Sequence, residues 1–534
     1  MKNFLFIVLL TLLSIQLFSQ ESIREFRLEK QYLNIPVDMQ QDRQKVYFIL
    51  GQDTLTYSDI RIADGEPDYW VFKDVSAWKG KKLTLTFSEK VNGIEKIYQS
   101  DKFAGEDSLY RESKRPQLHF TTRRGWNNDP NGMVYHDGEY HLFYQHNPYE
   151  IRWGNMHWGH AVSTDLLHWN ELDDALYPDD LGTMFSGSAV IDKDNSAGWG
   201  KNTLVAFYTA AGEKMTQNVA YSTDKGRTFT KYEGNPILGP DRDPKVFWYE
   251  PTQTWVMVLY EDNFFAIYNS RDLKNWEYRS KVKGFYECPE LFELAVDGDE
   301  NNKKWVMYGA SGTYMVGTFD GETFTPERGK YFYSWGSQYA AQTFNNTPDG
   351  RRIQIGWGRI EQRGTSFNQM MLFPCELSLR TTSEGIRLFS EPVGEIENLH
   401  DKKHRWEHLT EQEVNEKLST IETDLLHVKM DVEIRHGLRL AINFRGNTVI
   451  KYDGSFNQFN GVPFTCEEPG SFRFNIEILL DRTSVETWID RGKLYISEGL
   501  KKDKSQDGLR IKGGVRVHFI EVSEMKSIWI KKQD

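Results

Sequence analysis

"HAVSTDLLHWNEL" (residues 160–172), "VAYSTDKGRTFTKY" (219–232), "AIYNSRDLKNWEYRS" (266–280) and "VGTFDGETFTPE" (316–327) carry one pattern. A strand-like stretch ends, an Asp follows in a turn, and an aromatic residue opens the next strand. The first three copies place a serine at the strand end, and Ser163, Ser222 and Ser270 are 59 and 48 residues apart. A period near 50 residues with several strands per unit is the signature of a β-propeller, whose blades are short antiparallel sheets around a central axis. Four units between about 117 and 330, with further strands to about 395, predict five blades. A sandwich of duplicated hairpins is the alternative reading of the same repeat.

Outside the repeat the same local signal persists. "KVYFIL", "KLTLTF", "TWVMVLYE", "RIQIGWG", "HVKMDVEI" and "LRLAINF" alternate apolar and polar residues between Gly, Asp, Asn and Pro. Such alternation over four to eight residues is the mark of half-buried strands. Helical periodicity is almost absent, so the fold is predicted to be all-β. The polar run "DKKHRWEHLTEQEVNEK" (401–417) has room for at most one helix before strands resume. The predicted organisation is a small N-terminal β-domain and linker over 21–113, a five-bladed propeller over 114–398, and a C-terminal β-sandwich over 399–534.

Composition narrows the function. The 65 basic and 77 acidic residues give a net charge of −12, which argues against nucleic acid and anionic membranes, because both require a basic face. A neutral substrate is compatible with it. The 16 Trp suit strand-rich cores and also the stacking of sugar rings. Residues 1–20, with Lys2 followed by an apolar run from Phe4 to Phe18, read as a secretory signal peptide rather than a membrane span. No Cys follows that run, so the protein is expected to be exported, periplasmic or secreted, and not lipid-anchored. Cys288, Cys375 and Cys466 are widely separated, which excludes a disulfide framework as the main staple. No motif speaks to oligomeric state.

A propeller draws its reaction centre from single residues on distant blades. Three acidic residues stand in unusual settings: Asp129 in "WNNDPNG", read as a tight turn, Asp243 in "DRDPKVFW" and Glu287 in "FYECPELF". Each has an aromatic nearby and two precede proline. Singly, an Asp before Pro is a common turn former. Three carboxylates in consecutive blades point to chemistry.

"WNNDPNG", "FYQHNP", "WGHAVSTDLLHW", "FSGSAVID", "RDPKVFW" and "ECPELF" occur in that order, followed by "DRTSVETWID" near the C-terminus. Together they resemble glycoside hydrolase family 32, the invertases, inulinases and levanases, over roughly residues 117–534. The resemblance implies a five-bladed propeller joined to a β-sandwich, a carbohydrate substrate (fructan or sucrose), no cofactor and no metal. It implies hydrolysis of β-fructofuranosidic bonds with retention, by exo attack that releases fructose. Endo attack, fructosyl transfer on the same scaffold and a non-catalytic fructan-binding propeller are the alternatives. By position, Asp129 matches the nucleophile, Asp243 the transition-state stabiliser and Glu287 the general acid/base. Asn128, Gln145, Trp153, Phe185, Ser186 and Arg242 match residues around the terminal fructose.

Physical chemistry is compatible with these roles. The leaving oxygen needs a proton donor on one side and the fructosyl carbon an attacking carboxylate on the other. Glu287 must therefore start protonated, which neighbouring carboxylates favour. Asp129 must start ionised, with help expected from backbone N–H groups of its turn. Two positions depart from the family pattern: Asn127, where Met is frequent, and Ser337 in "SQYAAQTF", where an Asp is common. His136, His141, His146, His157, His160 and His168 cluster without any zinc spacing, so structural roles are expected for them. No G-x-S-x-G elbow is present.

Overall fold

The structure, a computed structural model, describes residues 22–434, 439–466, 472–501 and 508–529. The signal-peptide reading falls on residues outside these. The chain forms two compact units, one running to Asp68 and from Lys73 to Lys102, the other comprising Tyr69–Phe72 and everything from Phe103 onward. In the first unit the strands Ser22–Arg27, Lys82–Phe87, Gln44–Leu50 and Asp53–Ile60 make a four-stranded sheet in that spatial order. The alternation in "KLTLTF" sends Leu83, Leu85 and Phe87 to its buried face, as a period of two requires.

The second unit contains the five-bladed propeller followed by a β-sandwich. Blade I is built from Gly125–His136, Glu139–Asn147, His157–Ser163 and Asn170–Glu171; blade II from Thr183–Asp192, Thr203–Ala211, Met215–Ser222 and Thr230–Lys231. Blade III uses Arg242–Tyr249, Thr254–Glu261, Phe264–Ser270 and Glu277–Lys283. Blade IV uses Glu290–Val296, Asp299–Tyr308, Thr313–Phe319 and Phe324–Phe332. Blade V combines Gln338–Thr343, Ile353–Gly358, Cys375–Thr382 and Gly385–Pro392, and one bridge, Val296 to Leu379, joins it to blade IV. Phe367–Asn368 runs parallel to the start of Gly125–His136 and ties the end of the ring to its beginning.

The sequence repeat falls on equivalent turns. Ser163, Ser222 and Ser270 each end the third strand of a blade, and each hydroxyl donates to the Asp two residues on, at 3.1, 2.7 and 3.1 Å. Those carboxylates, Asp165, Asp224 and Asp272, in turn accept backbone N–H groups of the turn. In blade IV, Asp320 does the same without a serine, accepting from Glu322 and Thr323. The repeated residues are thus turn fasteners, and satisfying otherwise orphaned N–H groups is why they recur.

First strands of neighbouring blades lie against one another around the axis, linked by side chains. Ser188 Oγ donates to the Pro244 carbonyl at 2.8 Å, and Asn345 Nδ2 donates to the carbonyls of Ala189 and Val246. Lys245 pairs with Glu290 at 2.7 Å, both buried, and Lys245 also donates to the Thr343 carbonyl. The middle of the axis is therefore a packed polar plug, not an open pore.

Beyond blade V, the sandwich sets a sheet that includes Leu426–Ile434, Arg473–Leu480, Ser484–Ile489 and Val515–Met525 against a second sheet centred on Arg439–Phe444 and Asn447–Asp453. Val428, Met430, Val432, Ile476, Ile478, Ile442 and Phe459 fill the space between them. The helix allowed by the polar run forms at Glu411–Leu418, where Thr410 and Glu413 make a capping box. Propeller and sandwich meet at a buried triad: His119 Nδ1 lies 2.7 Å from Asp481, and its Nε2 lies 2.5 Å from Glu486. Asp481 also accepts the N–H groups of Gln117 and Leu118, and Glu486 that of Phe373. Among the described residues no helix is long and apolar enough to cross a membrane.

Candidate active site

Asp129 sits on a strand, not in a turn. It lies in the first strand of blade I, where pairing with Glu139–Asn147 slips between Asn127 and Pro130 and again between Asn131 and Val134. Pro130 has no N–H to give the ladder, so the strand bulges there and re-aims its neighbours. The same device recurs. The ladder slips between Phe185 and Gly187 in blade II and between Arg242 and Lys245 in blade III. Asp243 takes φ 66°, and Glu287 and Cys288 take 49° and 44°. These are left-handed conformations that non-glycine residues hold only where the surrounding structure imposes them, often at functional sites.

The bulges bring Asp129 and Asp243 to one thiol, which Glu287 precedes in the chain. Cys288 Sγ is 3.7 Å from Asp129 Oδ2 and 3.7 Å from Asp243 Oδ2, and the Cys288 N–H donates to Asp243 at 3.2 Å. Ser186 donates to Asp129 at 2.6 Å and Asn128 Nδ2 donates to it at 3.1 Å. Trp126 Nε1 donates to Asn128 Oδ1 at 2.8 Å, which orients the amide. The hydrogen bonds to Asp129 thus come from side chains rather than from the backbone N–H groups expected at the sequence level. Contributors come from blades I, II, III and IV, with Ser186 from blade II. The carboxylates are not in consecutive blades.

Glu287 faces different partners. Arg242 Nη2 donates to its Oε1 at 2.5 Å and Tyr339 donates to its Oε2 at 2.6 Å. The Arg242 guanidinium also stacks over the Tyr260 ring, 4.9 Å from its centroid. The charge of Glu287 acts on its neighbours. Burial, then the charges of Asp129 and Glu287, raise Asp243 to about 7, against the pull of Arg242. Burial also raises Asp129, opposed by the hydrogen bonds from Ser186 and Asn128. Burial and the three carboxylates together push the Cys288 thiol up, so it stays protonated as a donor.

The remaining positions matched to the family divide. Trp153, 53% exposed, stands edge-on to Phe185 with centroids 5.7 Å apart, and the pair makes an aromatic wall beside Ser186. Gln145 is buried and its Nε2 donates to the Met184 carbonyl at 2.9 Å, so it ties blade I to blade II. The two departures differ. Ser337 donates to Ser497 in the sandwich, at 3.1 Å to the carbonyl and 3.0 Å to the hydroxyl. Asn127 is fully buried, and neither amide atom finds a hydrogen-bond partner among the described residues.

Sequence reasoning missed Tyr339, which lies in the quoted stretch "SQYAAQTF" next to the noted Ser337. It also missed the role of Cys288, although the thiol adjoins Glu287 in sequence. Of the histidines, His141 and His160 stack on one another with Nδ1 to Nε2 at 3.0 Å, and burial lowers both. His146 and His168 are held by Asp174 and Asp165. These are structural contacts.

Carboxyl groups drawn together from separate blades, with an aromatic wall beside them, suit the hydrolysis of a glycosidic bond. The comparisons agree. A model described as the glycosyl hydrolases family 32 N-terminal domain matches residues 119–392, and the chain belongs to glycoside hydrolase family 32. It is 38% identical to a levanase of Bacillus subtilis over 490 residues, covering 80% of this chain and 72% of that one. It is 31% identical to an extracellular exo-inulinase of Aspergillus awamori over 485 residues, covering 73% and 89%. The crystal structure of the exo-inulinase from A. awamori superposes with a TM-score of 0.69 at 28% identity, covering 79% of this chain and all of that one.

Proposed function

We propose that the protein is a retaining β-fructosidase that removes terminal fructose from fructans of the levan or inulin type and also cleaves sucrose. The observation that carries this reading is the convergence of Asp129 and Asp243 on the Cys288 thiol, with Glu287 adjoining that thiol in the chain. In this account Asp129 attacks the anomeric carbon while Glu287 gives its proton to the departing oxygen. Glu287 then takes a proton from the water that cleaves the fructosyl–Asp129 ester. Arg242 and Tyr339 occupy both Glu287 oxygens in the free protein, so the leaving oxygen takes the place of one of them. Asp243 accepts hydrogen bonds from fructose hydroxyls, which strengthen as positive charge develops at the reacting carbon. Asn128, Gln145, Ser186 and Arg242 bound the fructose pocket, and Trp153 and Phe185 form its apolar wall.

Exo attack is supported by the names of the relatives. Export to the periplasm or the medium is supported by the apolar N-terminal run together with relatives named extracellular. The β-domain over 21–113, the propeller over 114–398 and the sandwich over 399–534 are taken as the three structural modules.

The test is hydrolysis of sucrose, inulin and levan by the unaltered chain, Asp129→Asn and Glu287→Gln. Asp129→Asn should be inactive on every substrate. Glu287→Gln should be slowed most on poor leaving groups. Fructose should be the sole early product, and an early ladder of oligosaccharides would replace exo with endo action.

A further inference from the structure

The far end of the propeller axis carries a second concavity that the reaction does not use. A cavity of about 720 Å³ opens where the first strands of blades II and III end, at Ile191, Asp192, Trp248 and Tyr249. Asp243, at the other end of its strand, lies five residues before Trp248, about 16 Å away at the rise of an extended strand. The Lys245–Glu290 pair and its hydrogen bonds to Thr343 fill the axis between them. The cavity and the reaction centre therefore do not share a space.

Its walls are aromatic. Trp305 packs against Phe319 and Phe247 with centroids 5.0 and 5.8 Å apart, and Trp248 stands edge-on to Trp255 at 5.0 Å. Phe247, Trp248 and Trp305 remain half-buried. Polar groups fringe this wall. Glu250 is exposed and accepts from Trp248 Nε1 at 2.5 Å, and Glu293 is exposed beside it. Arg352 lies over the Phe292 ring, and its Nη1 donates to the Phe344 carbonyl at 3.3 Å.

We infer that this cavity is a second carbohydrate site that holds a fructan chain apart from the reaction centre. Aromatic faces take the C–H faces of sugar rings, while the carboxylates on the fringe take hydroxyls. Its volume lies in the ordinary range for small-ligand sites, whereas a protein partner would need a flat patch of about 800 Å². The acidic fringe disfavours anionic ligands. The choice of fructan rests on the β-fructosidase reading: a polymer held at one end of the axis raises the local concentration of chain ends at the other.

Calorimetric titration of the Glu287→Gln chain with a short inulin-type oligosaccharide tests this. Two molecules bound per chain are expected, falling to one when Trp248→Ala is added. Glu250→Ala, an exposed change that leaves the core intact, should weaken the same site. In the otherwise unaltered chain, Trp248→Ala should raise KM for polymeric fructan severalfold and leave sucrose hydrolysis unchanged. One site per chain in the parent, or two sites surviving both changes, would overturn the inference. A site filled by a glucan oligosaccharide but not by the fructan would overturn the fructan assignment. Turnover of sucrose and fructan by the unaltered chain tests the proposed function separately. Its absence would defeat that reading, and the count of bound oligosaccharides would still decide this one.

Discussion

Arg242 holds Glu287: its Nη2 donates to the glutamate Oε1 at 2.5 Å, with both side chains about one-fifth exposed. The same guanidinium reaches Asp243, with Nε 3.8 Å from Oδ2. One cation thus serves two of the three carboxylates, and removing it changes how the whole cluster titrates.

Arg242→Leu should move the pH profile of kcat/KM to higher pH. A lost cation makes protons harder to remove from a carboxylate cluster, and the cluster titrates as a unit. The rate should fall about 100-fold or more, the usual scale for losing a charged group at a reaction centre. An unmoved profile would show that the ion pair does not govern the chemistry.

Asp243→Asn should stabilise the fold above neutral pH. Asp243 is raised to about 7 in the folded state, against about 3.9 unfolded. The folded protein therefore binds more protons between those values, and stability falls as pH rises from about 4 to about 7. The amide removes that penalty and with it the activity. Thermal melts should show the variant ahead of the parent at pH 8, with the gap closing toward pH 4. A variant less stable at pH 8 contradicts the assignment.

His119→Gln should weaken the junction of propeller and sandwich. Burial alone would lower this imidazole, but hydrogen bonds and charges from Asp481 and Glu486 outweigh it and push it up to about 9. With the folded value above the unfolded one of about 6.5, the stabilisation is complete below about 6.5 and is lost as pH rises through about 9. The variant leaves buried carboxylates uncompensated, at a cost of about 3–5 kcal/mol. Melts from pH 6 to 10 should show a large deficit at pH 6 that shrinks toward pH 10.

Asn127→Met should raise the melting temperature and preserve activity. The buried amide forgoes its hydrogen bonds, and relieving an unsatisfied polar group is worth about 1–3 kcal/mol. Destabilisation by Met would show that the amide is satisfied by something bound beside it.

The propeller was legible because its signal repeats. The serine–aspartate turns fasten equivalent corners, so similar residues recur wherever the geometry recurs. The three clustered carboxylates were legible through ordered motifs. Their backbone was not, because φ above zero at Glu287 and Cys288 runs against the preference of both residue types and is imposed by tertiary packing. The slip at Pro130 was likewise read as a turn, since turns and bulges use the same residues. Gln145 looked like a sugar contact because an amide suits hydroxyls, and the fold adds a second task, the bond from its Nε2 to the Met184 carbonyl. Tyr339 carried no weight in sequence because blade V lacks the repeat that marks the others.

The central claim is that Asp129 forms the bond to fructose. The direct measurement is peptide mass spectrometry of the Glu287→Gln chain after brief exposure to a fructoside with an activated leaving group. Such a substrate needs no proton to depart, while the missing base slows release, so the fructosyl–enzyme should accumulate. The account predicts a fructosyl group on the peptide containing Asp129. The same adduct on another carboxylate, or turnover with no adduct and a first-formed product of inverted configuration, would contradict it.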